Sequence, residues 1–235
     1  MKKLLLLFTL LLAFSCTKQE EKLVTIRFEY VTESGVFPTK AIADEIMGTL
    51  PSTLSLTLTD SHGKEWSAVT GQEITIPVGT YSVTGGHNPA VVQQITSGKA
   101  YTTHSPIIEI NDSVTIVEGA SVYQVTGTYN SFAVCVLPSE VAEWTAIFRG
   151  ANAEVDCVKT SELWFVFATG NLTGGGAFMT TLTSADGDTK DYTLYTNPND
   201  TQGIRAYYGK WYLLHPFTYQ SGSIGLSLPE WESGL

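Results

Sequence analysis

Leu23-Val24-Thr25-Ile26-Arg27-Phe28-Glu29-Tyr30-Val31 alternates apolar and polar side chains without a break. Successive side chains of an extended chain leave on opposite faces, so Val24, Ile26, Phe28 and Tyr30 share one face while Thr25, Arg27 and Glu29 share the other. The stretch reads as a half-buried strand. The same period returns in Leu54, Leu56 and Leu58 set against Ser55, Thr57 and Thr59, and in Tyr81 and Val83 set against Thr80, Ser82 and Thr84. Turn signals separate these runs: Asp60-Ser61-His62-Gly63 follows the second, and Gly85-Gly86-His87-Asn88-Pro89 follows the third. Residues 32–51 read as a long connection with at most one helical turn. Residues 107–110 and 114–117 read as a hairpin about Asn111-Asp112.

Beyond Glu118-Gly119-Ala120-Ser121 the pattern continues without a sequence repeat. Strands are predicted over residues 122–128, 132–137, 145–148, 163–168, 178–183, 190–195, 207–214 and 223–228. Asp186-Gly187 punctuates one hairpin, and Gly174-Gly175-Gly176 marks a turn. No long helical period occurs anywhere. The expected class is therefore all-β, in two tandem β-sandwich domains of transthyretin or immunoglobulin type, over residues 23–119 and 120–235.

The first residues, MKKLLLLFTLLLAFSC, place that fold outside the cytoplasm. Lys2 and Lys3 form a basic start, an apolar run of signal-peptide length follows, and Ser15 is the small residue expected at a cleavage site. The run is too short to span a bilayer as a helix. Ala13-Phe14-Ser15-Cys16 resembles a lipobox, the motif of bacterial lipoproteins. That resemblance implies acylation of Cys16, a signal peptide over residues 1–15 and a lipidated tether over residues 16–22. Thr17-Lys18-Gln19-Glu20-Glu21 resembles the acidic tag that sends lipoproteins of gut and oral anaerobes to the outer face of the outer membrane. A plain polar tether facing the periplasm is the alternative.

Removing residues 1–15 takes two lysines away, leaving 11 basic against 23 acidic side chains and a formal charge of −12. Such a field disfavours nucleic acid and anionic lipid, so acyl chains on Cys16 are the expected membrane contact. Two further cysteines remain. Cys135 lies in the apolar run 132–137 and Cys157 in the next extended stretch. A disulfide between them would close a loop worth about 3 kcal/mol; the alternative is two buried thiols acting as small apolar residues.

Signals for catalysis are poor. No Gly-x-Ser-x-Gly, no His-Glu-x-x-His and no phosphate-binding Gly-rich loop occurs. His62, His87, His104 and His215 are far apart in sequence, and Asp186, Asp188 and Asp191 lack the spacing of a calcium loop. No metal and no cofactor are expected. The richest stretch is Tyr207, Tyr208, Trp211, Tyr212, Phe217 and Tyr219, with Trp231 beyond it. Tyr208, Trp211 and Trp231 are candidates for stacking on sugar rings. Alternating aromatics on a closing strand also fill cores.

Scattered features resemble the fimbrillins, the lipoprotein pilins of type V pili, across nearly all of the chain beyond Cys16. They are Cys16 ahead of a first strand, Thr39-Lys40-Ala41 after a loop, Ile76-Pro77-Val78-Gly79-Thr80-Tyr81, Gly209-Lys210-Trp211-Tyr212, and the ending Pro229-Glu230-Trp231-Glu232-Ser233-Gly234. The resemblance implies strand exchange: proteolysis between Lys40 and Ala41 sheds the strand at 24–31, and a strand from the next subunit takes its place. Processed members carry Arg where this chain has Lys40. A permanent core strand in an uncut anchor or free-standing adhesin is the other outcome. The expectation is a lipid-anchored, non-catalytic protein of adhesion or pilus assembly, whose partners are the outer membrane and other pilin subunits. A surface glycan-binding lipoprotein is the alternative.

Overall fold

The computed structural model describes residues 21–32, 49–94, 100–148, 156–170, 178–196 and 203–214. The expectations placed on Cys16, Lys40, Ala41, the glycine run at 174–176, His215 and Trp231 lie outside the described residues.

Every element among them is a strand. In chain order these are β1 (Leu23–Thr32), β2 (Ser55–Asp60), β3 (Glu65–Val69), β4 (Glu73–Pro77), β5 (Gly79–His87), β6 (Gln93–Gln94), β7 (Tyr101–Thr103), β8 (Ile108–Ile116) and β9 (Val122–Tyr129). There follow β10 (Phe132–Val136), β11 (Glu143–Phe148), β12 (Val158–Lys159), β13 (Trp164–Thr169), β14 (Phe178–Thr183), β15 (Thr189–Tyr195), β16 (Ile204–Arg205) and β17 (Trp211–Leu214). The described residues are all-β, in three sheets.

The first sheet has seven strands in the order β3-β2-β5-β8-β9-β1-β4. Its two edge strands, β3 and β4, are consecutive in the chain and joined through Thr70, Gly71 and Gln72, so the sheet curls until its ends meet. The result is close to a barrel, which removes most of the exposed edge. The corner is tied inward by Gly71, whose N–H donates to the Phe28 carbonyl at 2.8 Å. Gly71 sits at φ +80°, a conformation that only glycine adopts freely. The alternation read from the sequence fills the interior: Ile26 and Phe28 from β1, Leu56 and Leu58 from β2, Tyr81 and Val83 from β5.

The expected hairpin at Asn111-Asp112 is instead a continuous strand. β8 pairs with β5 from Ile108 opposite His87 to Ile116 opposite Gly79. Ile108, Ile110, Val114 and Ile116 are buried at period two, and Asn111-Asp112 merely interrupts the apolar half of that period. Asp112 is nonetheless used. β9 pairs with β8 only as far as Gly127 opposite Ile110; beyond it, the Asp112 carboxylate accepts the Thr126 N–H at 3.2 Å and replaces the missing ladder bond.

Strand pairing crosses the expected boundary at residues 118–121 in both directions. β9 follows it in sequence yet lies between β8 and β1. β6 and β7 precede it yet belong to the second sheet, ordered β17-β10-β13-β7-β6, with β12 also on β13. β7 ends with Thr103 opposite Phe167, and β12 begins with Val158 opposite Phe165. The two short strands therefore abut along one edge of β13 as an interrupted strand. His104 bridges the gap, its Nε2 donating to the Asp156 carbonyl at 3.2 Å. The third sheet is β11-β14-β15-β16.

All five residues of β10 are buried, as are Trp211–Leu214 of β17. Such continuous burial arises because both faces of the second sheet are covered. Phe132, Val134, Val136, Val166, Tyr212 and Leu214 pack against Trp144, Phe178, Leu182 and Leu194 of the third sheet. Ala133, Cys135, Phe165, Phe167, Trp211 and Leu213 form a separate cluster on the opposite face.

Candidate functional site

The cysteines do not meet. Cys135 and Val158 both lie opposite Phe165, on the two sides of β13, so β13 stands between the strand carrying Cys135 and the one following Cys157. Two strand spacings are about 10 Å, beyond the roughly 7 Å across which a disulfide can form. Their side chains also pack into cores on opposite faces of the sheet. Both thiols are free. This corrects the disulfide option.

The histidines are used locally. Asp60 Oδ1 accepts the N–H groups of His62 at 2.8 Å and Lys64 at 2.9 Å. These bonds, the Lys64 one first, hold the Asp60 carboxyl below its ordinary value. His87 Nε2 meets Ser105 Oγ at 3.0 Å. Burial pulls its pKa down. Asp191 accepts the Thr181 hydroxyl at 2.7 Å across the β14-β15 hairpin. Among the described residues no group of three His, Cys, Asp or Glu side chains is placed to hold a metal ion.

The aromatic run divides in two. Trp211 is only 4% exposed, packed edge-on against Phe167 at 5.5 Å and Tyr129 at 6.2 Å. It presents no face to a ligand. Of the two readings of Trp211, sugar stacking gives way to core filling, at a place where the first and second sheets touch. Tyr207 and Tyr208 lie at the surface, 49% and 40% exposed.

Their loop is built from β16 upward. Ile204 and Arg205 pair in parallel with Leu194 and Tyr195 of β15. Gly203 permits this approach, since a Cβ there would meet the Thr193 carbonyl oxygen at 2.6 Å. The buried Tyr212 then reaches back: its hydroxyl accepts the Tyr207 N–H at 2.9 Å and donates to the Arg205 carbonyl at 3.2 Å. The Tyr208 hydroxyl donates to the Gly170 carbonyl at 2.9 Å and accepts the Gly170 N–H at 3.0 Å. The Arg205 guanidinium lies over the Tyr207 ring, 4.8 Å from its centroid. Arg205 carries no motif and was not legible in the sequence as part of a site.

The second feature with functional geometry is β1. It pairs in parallel with β9, from Arg27 opposite Val122 to Thr32 opposite Gly127, and antiparallel with β4, from Leu23 opposite Pro77 to Arg27 opposite Glu73. Its Ile26 and Phe28 are 1% and 0% exposed.

Among the described residues these features define an all-β, three-sheet protein whose first strand is held between two neighbours inside a near-barrel sheet. No family model matches the chain, and no curated protein does. Among solved structures, the chain is similar to the tip fimbrial protein Mfa3 from Porphyromonas gingivalis with C-terminal truncation, at 10% identity over 84% of this chain and 95% of that one, with a TM-score of 0.42. It is also similar to a fimbrial assembly protein from Parabacteroides distasonis, at 10% identity over 82% of this chain and 91% of that one, with a TM-score of 0.41.

Proposed function

We propose that this chain is a lipid-anchored, cell-surface protein of fimbrillin-like type that acts in adhesion or pilus assembly and not in catalysis. Its parts on this reading are a signal peptide over residues 1–15, a tether from acylated Cys16, and an all-β body whose strands interleave across residues 118–121.

The observation that supports it is the position of β1. This strand begins seven residues after Cys16 and has ladder partners on both sides. Its departure would expose the edges of β9 and β4 together with the pockets that Ile26 and Phe28 occupy. An open slot of that kind accepts a strand: main-chain bonds supply affinity and alternate side chains set the register. Cleavage after Lys40 would free β1 for such an exchange; an uncut chain would serve as an anchor or a stand-alone adhesin.

The intact mass of the protein extracted from its own cells tests this. A mass for the chain beginning at acylated Cys16 supports anchoring with β1 retained. One beginning at Ala41 supports strand exchange between subunits. An unacylated chain beginning elsewhere sinks the proposal.

A second reading, a surface lipoprotein that binds glycans through exposed aromatics, is favoured by one observation. Tyr207 and Tyr208 are displayed on a loop whose backbone is pinned by Tyr212.

A further inference from the structure

Acidic side chains outnumber basic ones by 23 to 13 in this chain, and the described lysines and arginine ahead of residue 120 are paired with acids. Lys22 meets Glu118 at 2.5 Å, Arg27 meets Glu29 at 2.9 Å and Lys64 meets Glu21 at 3.7 Å. Arg205 differs. Among the described residues it makes no ion pair, and its guanidinium lies on the exposed ring of Tyr207. The segment 203–214 contains Arg205 and Lys210 and no acidic residue. It is a locally basic stretch of an acidic chain.

The site is also rigid. Besides the two bonds from Tyr212 and the two between Tyr208 and Gly170, the Gly209 N–H donates to the Ser131 carbonyl at 2.8 Å. Gly209 itself holds φ +73°. A guanidinium stacked on a ring keeps its donor fork free for a planar anion and loses little freedom on binding it. An exposed tyrosine ring presents an apolar face to the C–H face of a sugar. A loop already ordered avoids much of the entropic cost of association.

We propose that Arg205, Tyr207 and Tyr208 form a subsite for a carboxylate-bearing glycan. Arg205 takes the carboxylate through paired N–H bonds, and Tyr208 packs on the sugar ring. This rests on the glycan-binding reading and not on strand exchange. The overall negative field repels polyanions, so binding must come from this local geometry.

The test is affinity electrophoresis of the full chain in gels containing polygalacturonate, hyaluronan, neutral galactan or dextran sulfate. The expected result is retardation by a uronate polymer and none by galactan. Arg205→Gln should weaken it about tenfold or more, the loss expected for a charge-assisted bond, with Arg205→Lys intermediate and thermal unfolding unchanged. Tyr208→Ala should weaken it as well. Retardation by galactan equal to that by uronates, unchanged in Arg205→Gln, would overturn the acidic-ligand assignment while leaving glycan binding intact. No retardation by any sugar polymer would overturn both. Equal retardation by dextran sulfate that survives Tyr208→Ala would mean unspecific anion capture and would also overturn the proposal.

Discussion

Thr70 and Leu54 hold each other at both ends: the Thr70 N–H donates to the Leu54 carbonyl at 2.9 Å, and the Leu54 N–H donates to Thr70 Oγ1 at 2.7 Å. Thr70 is 2% exposed and sits at the corner where β3 becomes β4. The pair therefore fixes the corner through which the seven-stranded sheet closes. Valine has nearly the shape of threonine but cannot accept a hydrogen bond, so Thr70→Val leaves the Leu54 N–H buried and unsatisfied. The expected loss is about 1–3 kcal/mol. Thr70→Ser keeps the acceptor and should lose less. Urea midpoints at constant slope compare the three proteins.

β1 is expected to be a full member of the core in the uncut chain. Phe28→Ala should cost about 3–5 kcal/mol, because a buried ring is replaced by a cavity. Thr25→Ala changes the outer face of the same strand, where the hydroxyl meets that of Thr75 at 3.0 Å, and should cost less than about 1 kcal/mol. Equal midpoints for Phe28→Ala and the parent chain would mean that β1 is not part of the folded molecule.

Much of the first sheet was legible because β1, β2 and β5 have one face inside and one in water, which writes a period of two into the sequence. The hairpin at Asp186-Gly187 was legible for a different reason: Gly187 adopts φ +86°, and Asp-Gly is the pair suited to such a turn. Asn111-Asp112 misled because turn propensity is local, whereas nine residues of pairing with β5 outweigh it. β6, β12 and β16 have two residues each, too few to carry any period. The crossing of strands at the expected boundary had no signal either. β9 reads as an ordinary half-buried strand, and nothing in its composition names the sheet it joins. Trp211 was left open between a core role and a sugar platform for the converse reason. A strand covered on both faces has no polar alternation from which to tell inside from outside.

Trp211→Ala should behave as a core mutation, costing about 3–5 kcal/mol, because Trp211 packs edge-on against Phe167 and Tyr129. Trp211→Phe keeps part of those contacts and should cost less. Urea unfolding distinguishes these outcomes from a surface role, in which both variants would match the parent. Sugar binding lost in Trp211→Ala alone would report unfolding and not a missing platform.

The two thiols should differ in reactivity and shape the alkaline limit of stability. Burial pushes both thiols up, Cys135 far more strongly because it is fully enclosed. Iodoacetamide should therefore label half-exposed Cys157 slowly in the native protein and Cys135 only after denaturation; no labelling of either in denatured, unreduced protein would reveal a disulfide instead. A thiol whose pKa is raised on folding stays protonated in the native state while the unfolded chain loses its proton. Its stabilising effect is complete below the ordinary value of 9.0 and is lost progressively above it. Tyr212, pushed by burial from 10.0 up to about 12, adds a second loss beginning at higher pH. Unfolding free energy should thus fall steadily from about pH 9 upward. Cys135→Ala should flatten the first part of that fall and Tyr212→Phe the later part. A slope that is the same in Cys135→Ala as in the parent chain would mean that the Cys135 thiol does not carry it.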